Sequence, residues 1–164
     1  MCRYKAGETP PFLLHENFTF GSWSKRSPDG TILVKRGKAM WIKTNPNPAG
    51  RSVGDCAVRA LAVALNIDWE DAYDLLSDAG RLMCDMPSSD SVSGAVLRMH
   101  GFRRTAVPDT CPDCYTVRDF CRDHPVGTHV IYTGGHVVTS INGDVYDSWN
   151  SLNEIPIFAW HKEA

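Results

Sequence analysis

Two stretches of the sequence carry side chains that could do covalent chemistry, and the first centres on Cys56. It lies in SVGDCAVRALAVALN, residues 52–66, where small and apolar residues recur at helical spacing. Ser52 and Asp55 have the spacing of a capping box, with Asp in place of Glu. A thiol in the first turn of a helix is near the positive end of the helix dipole, which favours the thiolate. Cys56 is therefore a candidate nucleophile, and a small buried residue is the alternative reading, since free cysteines pack well in cores.

The second stretch, GGHVVTSINGDVYDSW at residues 134–149, has the pattern of a β-hairpin. Strand-forming residues flank Asn142-Gly143, the dipeptide most typical of a two-residue hairpin turn. A loop of that length pairs Ile141 with Asp144. A three-residue loop would instead shift the register by one residue. The turn therefore decides which side chains of the two strands face one another.

The register of this hairpin selects the partner of His136. With a two-residue loop, Asp147 is a diagonal neighbour of His136 on the same face of the hairpin. A carboxylate in that position can orient an imidazole for proton transfer. With a three-residue loop, Asn150 would come level with His136 and take that role. We therefore expect a Cys56, His136 and Asp147 set, with Asn150 as the alternative orienting residue.

The order of these residues is also a resemblance to a known family. Cysteine at a helix start, followed by histidine and an Asp or Asn on strands, resembles the papain-like cysteine peptidases. Asp147-Ser148-Trp149 is similar to the Asn-Ser-Trp motif of that family, with Asp substituted. The segment NPNPAGRSVGDCAVRALA resembles small uncharacterised proteins of phages and Gram-positive bacteria that look like members of the same group. The likeness covers about a third of the chain, and it implies a helical part carrying the cysteine and an antiparallel sheet carrying the other two residues.

One feature departs from the papain-like pattern. That family places a glutamine about six residues before the cysteine as a donor to the oxyanion, but the position here is Gly50 and the chain contains no glutamine. The stiff segment Asn45-Pro-Asn47-Pro-Ala-Gly leads directly into the cysteine helix. Asn45, Asn47 or backbone N–H groups of this loop are the candidate oxyanion donors. The alternative is a loop that only fixes the entry angle of the helix.

A competing set of residues has a spacing that could bind zinc. Cys111, Cys114, Cys121 and His124 form a C-x2-C-x6-C-x2-H pattern, and tetrahedral zinc accepts three cysteines and one histidine. The interval of six is short for such sites, and TVRDFCRDH reads as a helix capped by Thr116. A loop with incidental thiols is the favoured interpretation. We therefore expect no metal and no cofactor.

Composition excludes several other classes of protein. The chain has 164 residues and a formal net charge of −2, which argues against a nucleic-acid binder that neutralises many phosphates. No stretch has the length of apolar residues that a membrane helix needs. The N-terminus lacks an apolar signal core, so a cytoplasmic protein is expected. The six cysteines are accordingly predicted to be free thiols.

The order of the predicted elements indicates an α+β fold in a single domain, 1–164. An N-terminal hairpin and loop occupy residues 1–51, a helical part residues 52–101, and a sheet-rich part residues 102–164. Within the last part, GTHVIYT feeds the hairpin, and IPIFAW is predicted to be an outer strand. The papain-like plan has the same order.

Two functions from different classes fit this sequence. The first is a cysteine hydrolase that cleaves a peptide, isopeptide or amide bond of a peptide or protein substrate, with Cys56 as nucleophile, His136 as acid and base, and Asp147 as orienting group. The second is a non-catalytic protein-binding or inhibitory module of phage type on the same fold. Reactivity of the Cys56 thiol at mildly acidic pH separates the two, because only an activated thiol stays reactive there. The sequence leaves the oligomeric state open.

Overall fold

The structure is a computed structural model that describes residues 38–108 and 113–162. Within these ranges the chain forms four helices and six strands. The helices are α1 (Cys56–Leu65), α2 (Trp69–Met83), α3 (Asp90–Met99) and α4 (Val117–Asp123). The strands are β1 (Trp41–Lys43), β2 (Arg103–Ala106), β3 (Thr128–Thr133), β4 (Val137–Ile141), β5 (Asp144–Asp147) and β6 (Pro156–Lys162). The predicted α+β class is confirmed.

The six strands form one sheet in the order β1-β5-β4-β3-β6-β2. β1 runs parallel to β5, and the remaining neighbours are antiparallel. The prediction of an outer strand at residues 155–160 is wrong, because β6 lies between β3 and β2. Its buried residues Phe158, Ala159 and Trp160 agree with an inner strand, since alternate side chains of β6 enter the two cores on opposite faces of the sheet.

The hairpin of β4 and β5 has the predicted two-residue turn. Ile141 pairs with Asp144, and Thr139 with Tyr146. Both turn residues have positive φ, 51° at Asn142 and 82° at Gly143, which is the backbone of a type I′ turn and the reason for the Asn-Gly preference. The side chain of Asn142 also accepts a hydrogen bond of 3.0 Å from the N–H of Gly127. The register on which the active-site prediction depended is therefore confirmed.

Helices cover both faces of the sheet, and each face has its own core. The larger core joins α1, α2 and α3 to one face, with Leu61, Leu76 and Leu97 fully buried against Val130. The smaller core joins α4 to the other face. α1 packs on β4 and β3. Its first residue, Cys56, therefore lies near the start of β4.

The start of α1 differs from the prediction. The helix begins at Cys56 with Asp55 as N-cap residue, and the carboxylate of Asp55 makes no capping hydrogen bond. The predicted capping box of Ser52 and Asp55 is therefore wrong. The physical reason is that the Asp55 carboxylate is buried and bonds to other side chains, including Asn47 at 2.8 Å. By contrast, Thr116 caps α4 as expected, in a reciprocal capping box with Asp119.

Three of the cysteines in the described ranges are free thiols, and one is not. Cys56, Cys114 and Cys121 are free, whereas Cys84 takes part in a disulfide bond. The prediction of free thiols is therefore wrong for Cys84.

Two further predictions meet the structure only in part. The N-terminal hairpin falls largely on residues 1–37, which lie outside the described residues. In residues 38–108 and 113–162, none of the helices combines the length and the apolar character needed to cross a bilayer.

Candidate active site

Cys56 is the first residue of α1 and is partly buried at the end of the sheet. Its thiol interacts with the backbone N–H groups of Val137, at the start of β4, and Ala57, in its own helix. Both donors favour a negative sulfur, as does the N-terminal end of the helix. The residue that the sequence singled out as a nucleophile therefore has an environment suited to a thiolate.

His136 and Asp147 are joined by a short hydrogen bond. The Nε2 atom of His136 lies 2.6 Å from Oδ2 of Asp147, and both side chains are largely buried. His136 directly precedes β4 and Asp147 ends β5, so the two-residue turn sets their separation along the hairpin. The other carboxylate oxygen of Asp147 accepts a hydrogen bond of 2.7 Å from the backbone N–H of Ser148. Because both carboxylate oxygens are engaged, the orientation of the His136 ring is fixed.

The His136 imidazole also interacts with the thiol of Cys56, so one ring is coupled to both other members of the predicted set. The hydrogen bond with His136 is the largest cause of the lowered pKa of Cys56 and outweighs the burial of the thiol, which acts in the opposite direction. Burial would lower the pKa of His136, but hydrogen bonds to Asp147 and Cys56 and the charges of both raise it to about 9. Burial likewise opposes the lowered pKa of Asp147, and the hydrogen bond from His136 is the first of several that lower it.

These shifts favour one charge state of the site. A lowered thiol pKa beside a raised imidazole pKa favours the thiolate and imidazolium pair near neutral pH. The negative Asp147 on the far side of the ring stabilises the imidazolium. In this charge state the Cys56 thiolate can act as a nucleophile and the His136 imidazolium as an acid, which are the two roles that acyl transfer needs.

The structure separates Asn150 from this set. Its side-chain oxygen accepts a hydrogen bond of 3.3 Å from the N–H of Leu152, and its side chain is exposed. Trp149 instead lies beside His136, with ring centroids 5.0 Å apart, and is 42% exposed. The orienting contact to His136 is therefore made by Asp147, and its catalytic role stays a prediction.

The two asparagines proposed as oxyanion donors bond elsewhere. The side-chain amide of Asn47 donates to Asp55 at 2.8 Å, and its oxygen accepts from the N–H of Ala49 at 3.0 Å. The amide of Asn45 donates to the carbonyl of Arg51 at 3.2 Å. Both side chains thus shape the loop before α1. Asp55 makes no side-chain hydrogen bond to the first N–H groups of α1, so these groups remain candidate oxyanion donors.

Sequence reasoning missed a second group of residues beside the site. Asp55 and Arg59, both buried, form an ion pair with Nε and Oδ1 3.0 Å apart, and Arg59 also donates to the hydroxyl of Ser148. Trp69 donates from its indole nitrogen to Asp55 at 3.0 Å. An Asp and an Arg four residues apart on a helix were visible in the sequence. Their burial was not, since nothing local shows that a charged pair lies inside.

The possible zinc ligands are only partly within the described residues. Cys111 lies outside them, Cys114 is exposed and Cys121 is buried in the smaller core. The Nδ1 atom of His124 lies 2.9 Å from the carbonyl oxygen of Phe120. Among the described residues, no group of three or more His, Cys, Asp or Glu side chains is arranged to hold a metal ion.

Comparison with protein-family models, with curated proteins and with solved structures finds no match for this chain.

Proposed function

We propose that this protein is a cysteine hydrolase of papain-like type that cleaves a peptide, isopeptide or amide bond. The single observation that carries the proposal is the imidazole of His136, which hydrogen-bonds the Asp147 carboxylate and also interacts with the Cys56 thiol. A thiol, an imidazole and a carboxylate in this order supply the nucleophile, the acid and base, and the orienting group that acyl transfer by a cysteine uses. The helical part with its cysteine and the sheet with its histidine and aspartate also agree with the papain-like plan.

The proposed reaction begins with the Cys56 sulfur. The thiolate attacks the carbonyl carbon of the substrate, and a carbon–sulfur bond forms as the carbonyl oxygen becomes an oxyanion. The uncapped N–H groups at the start of α1 stabilise this oxyanion. His136 then gives its proton to the leaving nitrogen, and the carbon–nitrogen bond breaks to leave a thioester on Cys56.

Water completes the cycle. Neutral His136 takes a proton from a water molecule, which attacks the thioester carbon. The carbon–sulfur bond then breaks, the acid product leaves, and the thiolate and imidazolium pair is restored. Asp147 does not transfer a proton; it holds the imidazole in the required tautomer and stabilises its charged form.

The first test compares thiol reactivity within one molecule. Iodoacetamide labelling at pH 6, read at each cysteine by mass spectrometry, should modify Cys56 at least about ten times faster than the exposed thiol of Cys114. The reason is that an ordinary thiol is almost wholly protonated at that pH. His136→Ala should remove the difference while Cys114 is unaffected, which makes Cys114 an internal control.

The second measurement is turnover. A panel of peptides carrying a fluorogenic amide should be hydrolysed by the wild-type protein and not by Cys56→Ala. Rapid labelling of Cys56 without hydrolysis of any peptide in the panel would favour a binding module or a non-peptide amide substrate. Equal labelling rates for Cys56 and Cys114 at pH 6 would overturn the proposal.

A further inference from the structure

A buried ion pair joins the nucleophile helix to the loop that follows β5. Arg59 lies one turn after Cys56 on α1, is 7% exposed, and contacts Asp55, which is 8% exposed. Its Nη1 atom donates to the hydroxyl oxygen of Ser148. Arg59 therefore contacts both the residue that precedes Cys56 and the residue that follows Asp147.

The Asp55 end of this contact sets the guanidinium against the carboxylate of the residue that directly precedes Cys56. A carboxylate next to a thiolate raises the pKa of the thiol when nothing offsets its charge. Here the Asp55 carboxylate makes no bond to the first N–H groups of α1. It forms an ion pair with Arg59 and accepts hydrogen bonds from Asn47 at 2.8 Å and from the Trp69 indole at 3.0 Å. The guanidinium thus offsets the charge, and the network engages the carboxylate with partners other than the N–H groups of α1.

The Ser148 end of the contact continues to the imidazole. The backbone N–H of Ser148 donates to Oδ1 of Asp147 at 2.7 Å, and Oδ2 of Asp147 lies 2.6 Å from His136. The Ser148 hydroxyl, in turn, accepts from Arg59. A displacement of Ser148 would therefore move a donor to the carboxylate that orients the ring.

Arginine suits this position better than lysine. Its planar guanidinium carries several N–H donors in a fixed fork, so one group can serve two acceptors in different directions. Nη1 of Arg59 donates to the Ser148 hydroxyl, while Nε lies 3.0 Å from Oδ1 of Asp55 in an ion pair that lacks hydrogen-bond geometry. A lysine ammonium is a single point and would keep the charge without holding both contacts in the same geometry.

We infer that Arg59 is a positioning residue for the thiolate: it ties the Asp55 side of the nucleophile helix to the Ser148 side of the orienting carboxylate. This inference rests on the proposed function, because it concerns the same Cys56, His136 and Asp147 site. Arg59 itself touches none of these three side chains in the contacts described above. Its effect is on their alignment.

The test measures the pH profile of Cys56 alkylation by iodoacetamide between pH 4.5 and 9 in the full chain. Arg59→Met should raise the apparent pKa of Cys56 by about one unit, which moves the midpoint of the labelling profile to higher pH by the same amount. Arg59→Lys should reverse part of that shift, since it restores the charge but not the fork. Arg81→Met, which removes an exposed arginine from an ion pair on α2, is the matched control and should leave the profile unchanged.

Ser148→Ala keeps the ion pair of Arg59 with Asp55 and removes only the Ser148 hydroxyl, which accepts the hydrogen bond from Arg59. It should lower the labelling rate at pH 6 about threefold, and it decides the matter if Arg59→Met fails to fold, as circular dichroism would show. The inference would be overturned if folded Arg59→Met had the wild-type pH profile of Cys56 alkylation. If Arg59→Met does not fold, the same result for Ser148→Ala would overturn it. Loss of the proposed function looks different, because the wild-type profile itself would then be that of an ordinary thiol.

Discussion

Two histidines of the same sheet have pKa values that shift in opposite directions. His136, beside β4, has its pKa raised to about 9, whereas His129, in β3, has its pKa lowered to about 4. Both are largely buried, and burial acts in the same direction on each. The difference lies in the partners. His136 contacts the Asp147 carboxylate and the Cys56 thiol.

His129 has no such partners. Its ring lies 5.6 Å from that of His124 and 6.3 Å from that of His161, measured between centroids, and its edge meets Phe120. After burial, the charges of His124 and His161 are what lower its pKa, and its Nδ1 atom has no hydrogen-bond partner in the described structure. His129 is therefore held neutral, as a packed ring of the smaller-core side of the molecule.

The cysteines repeat the contrast. The hydrogen bond with His136 lowers the pKa of Cys56, whereas burial raises the pKa of Cys121 to about 11. Burial alone thus makes thiols and imidazoles inert, and a specific partner of opposite charge makes them reactive. The partners of these side chains, more than their burial, therefore distinguish the reactive groups of this chain from the inert ones.

The largest effect should come from removing the partner that distinguishes His136. Asp147→Ala should lower the rate of any hydrolysis by about several tens to thousands of fold, since loss of the carboxylate misaligns the imidazole. Turnover of a fluorogenic peptide, or the rate of Cys56 alkylation across pH, measures the effect, and circular dichroism checks the fold.

Asn150→Ala is the matched control, because Asn150 bonds Leu152 rather than His136. Its rate should stay within a few fold of the wild type. Loss of activity in Asn150→Ala with retention in Asp147→Ala would contradict the assignment of the orienting residue.

A smaller effect should come from charging the histidine that lacks a partner. His129 has a pKa of about 4 in the folded protein and about 6.5 when unfolded, so the folded state binds its proton less readily. Its contribution to stability is complete above pH 6.5 and is lost as the pH falls toward 4, a total of about 3 kcal/mol. Urea unfolding at pH 7 and at pH 4 should show this loss in the wild-type protein.

The variant His129→Leu isolates the contribution, because other groups also titrate in that range. Between pH 7 and pH 4 the wild-type protein should lose about 3 kcal/mol more of its free energy of unfolding than His129→Leu does. His161→Gln removes a neighbouring titratable ring but keeps His129, and should retain most of the loss. An identical pH dependence in wild type and His129→Leu would show that His129 titrates normally.

The smallest effect should come from chelation. The purified protein should contain no stoichiometric zinc, and a chelator should leave its melting temperature unchanged. Zinc needs thiolates, and the buried Cys121 resists ionisation with a pKa of about 11. A zinc content of one per chain would show that Cys111, Cys114, Cys121 and His124 were underestimated, and would make Cys121 a ligand instead of an inert core thiol.

The sequence by itself determined those parts of the site that depend on short range. The Asn142-Gly143 dipeptide favours positive φ at both positions, which sets a two-residue turn and thereby the register that brings His136 to Asp147. Periodicity located α1 with Cys56 in its first turn, and Thr116 marked the start of α4. These features involve residues at most a dozen positions apart, so local backbone preferences decide them.

Only the tertiary structure decided what joins distant segments. Cys56 meets His136 eighty residues later because α1 packs on β4, and no local pattern carries that information. β6 lies inside the sheet, against expectation, since its neighbours β3 and β2 are chosen by pairings across the fold.

The Asp55 carboxylate shows the same limit most clearly. The spacing of Asp55 from Ser52 indicated a capping box. In the structure the carboxylate instead contacts Arg59, Asn47 and Trp69 in a buried network. A buried carboxylate is costly unless it is paired with an opposite charge or accepts hydrogen bonds from N–H donors. Those partners come from α1, from the loop before it and from α2, and folding alone brings them together.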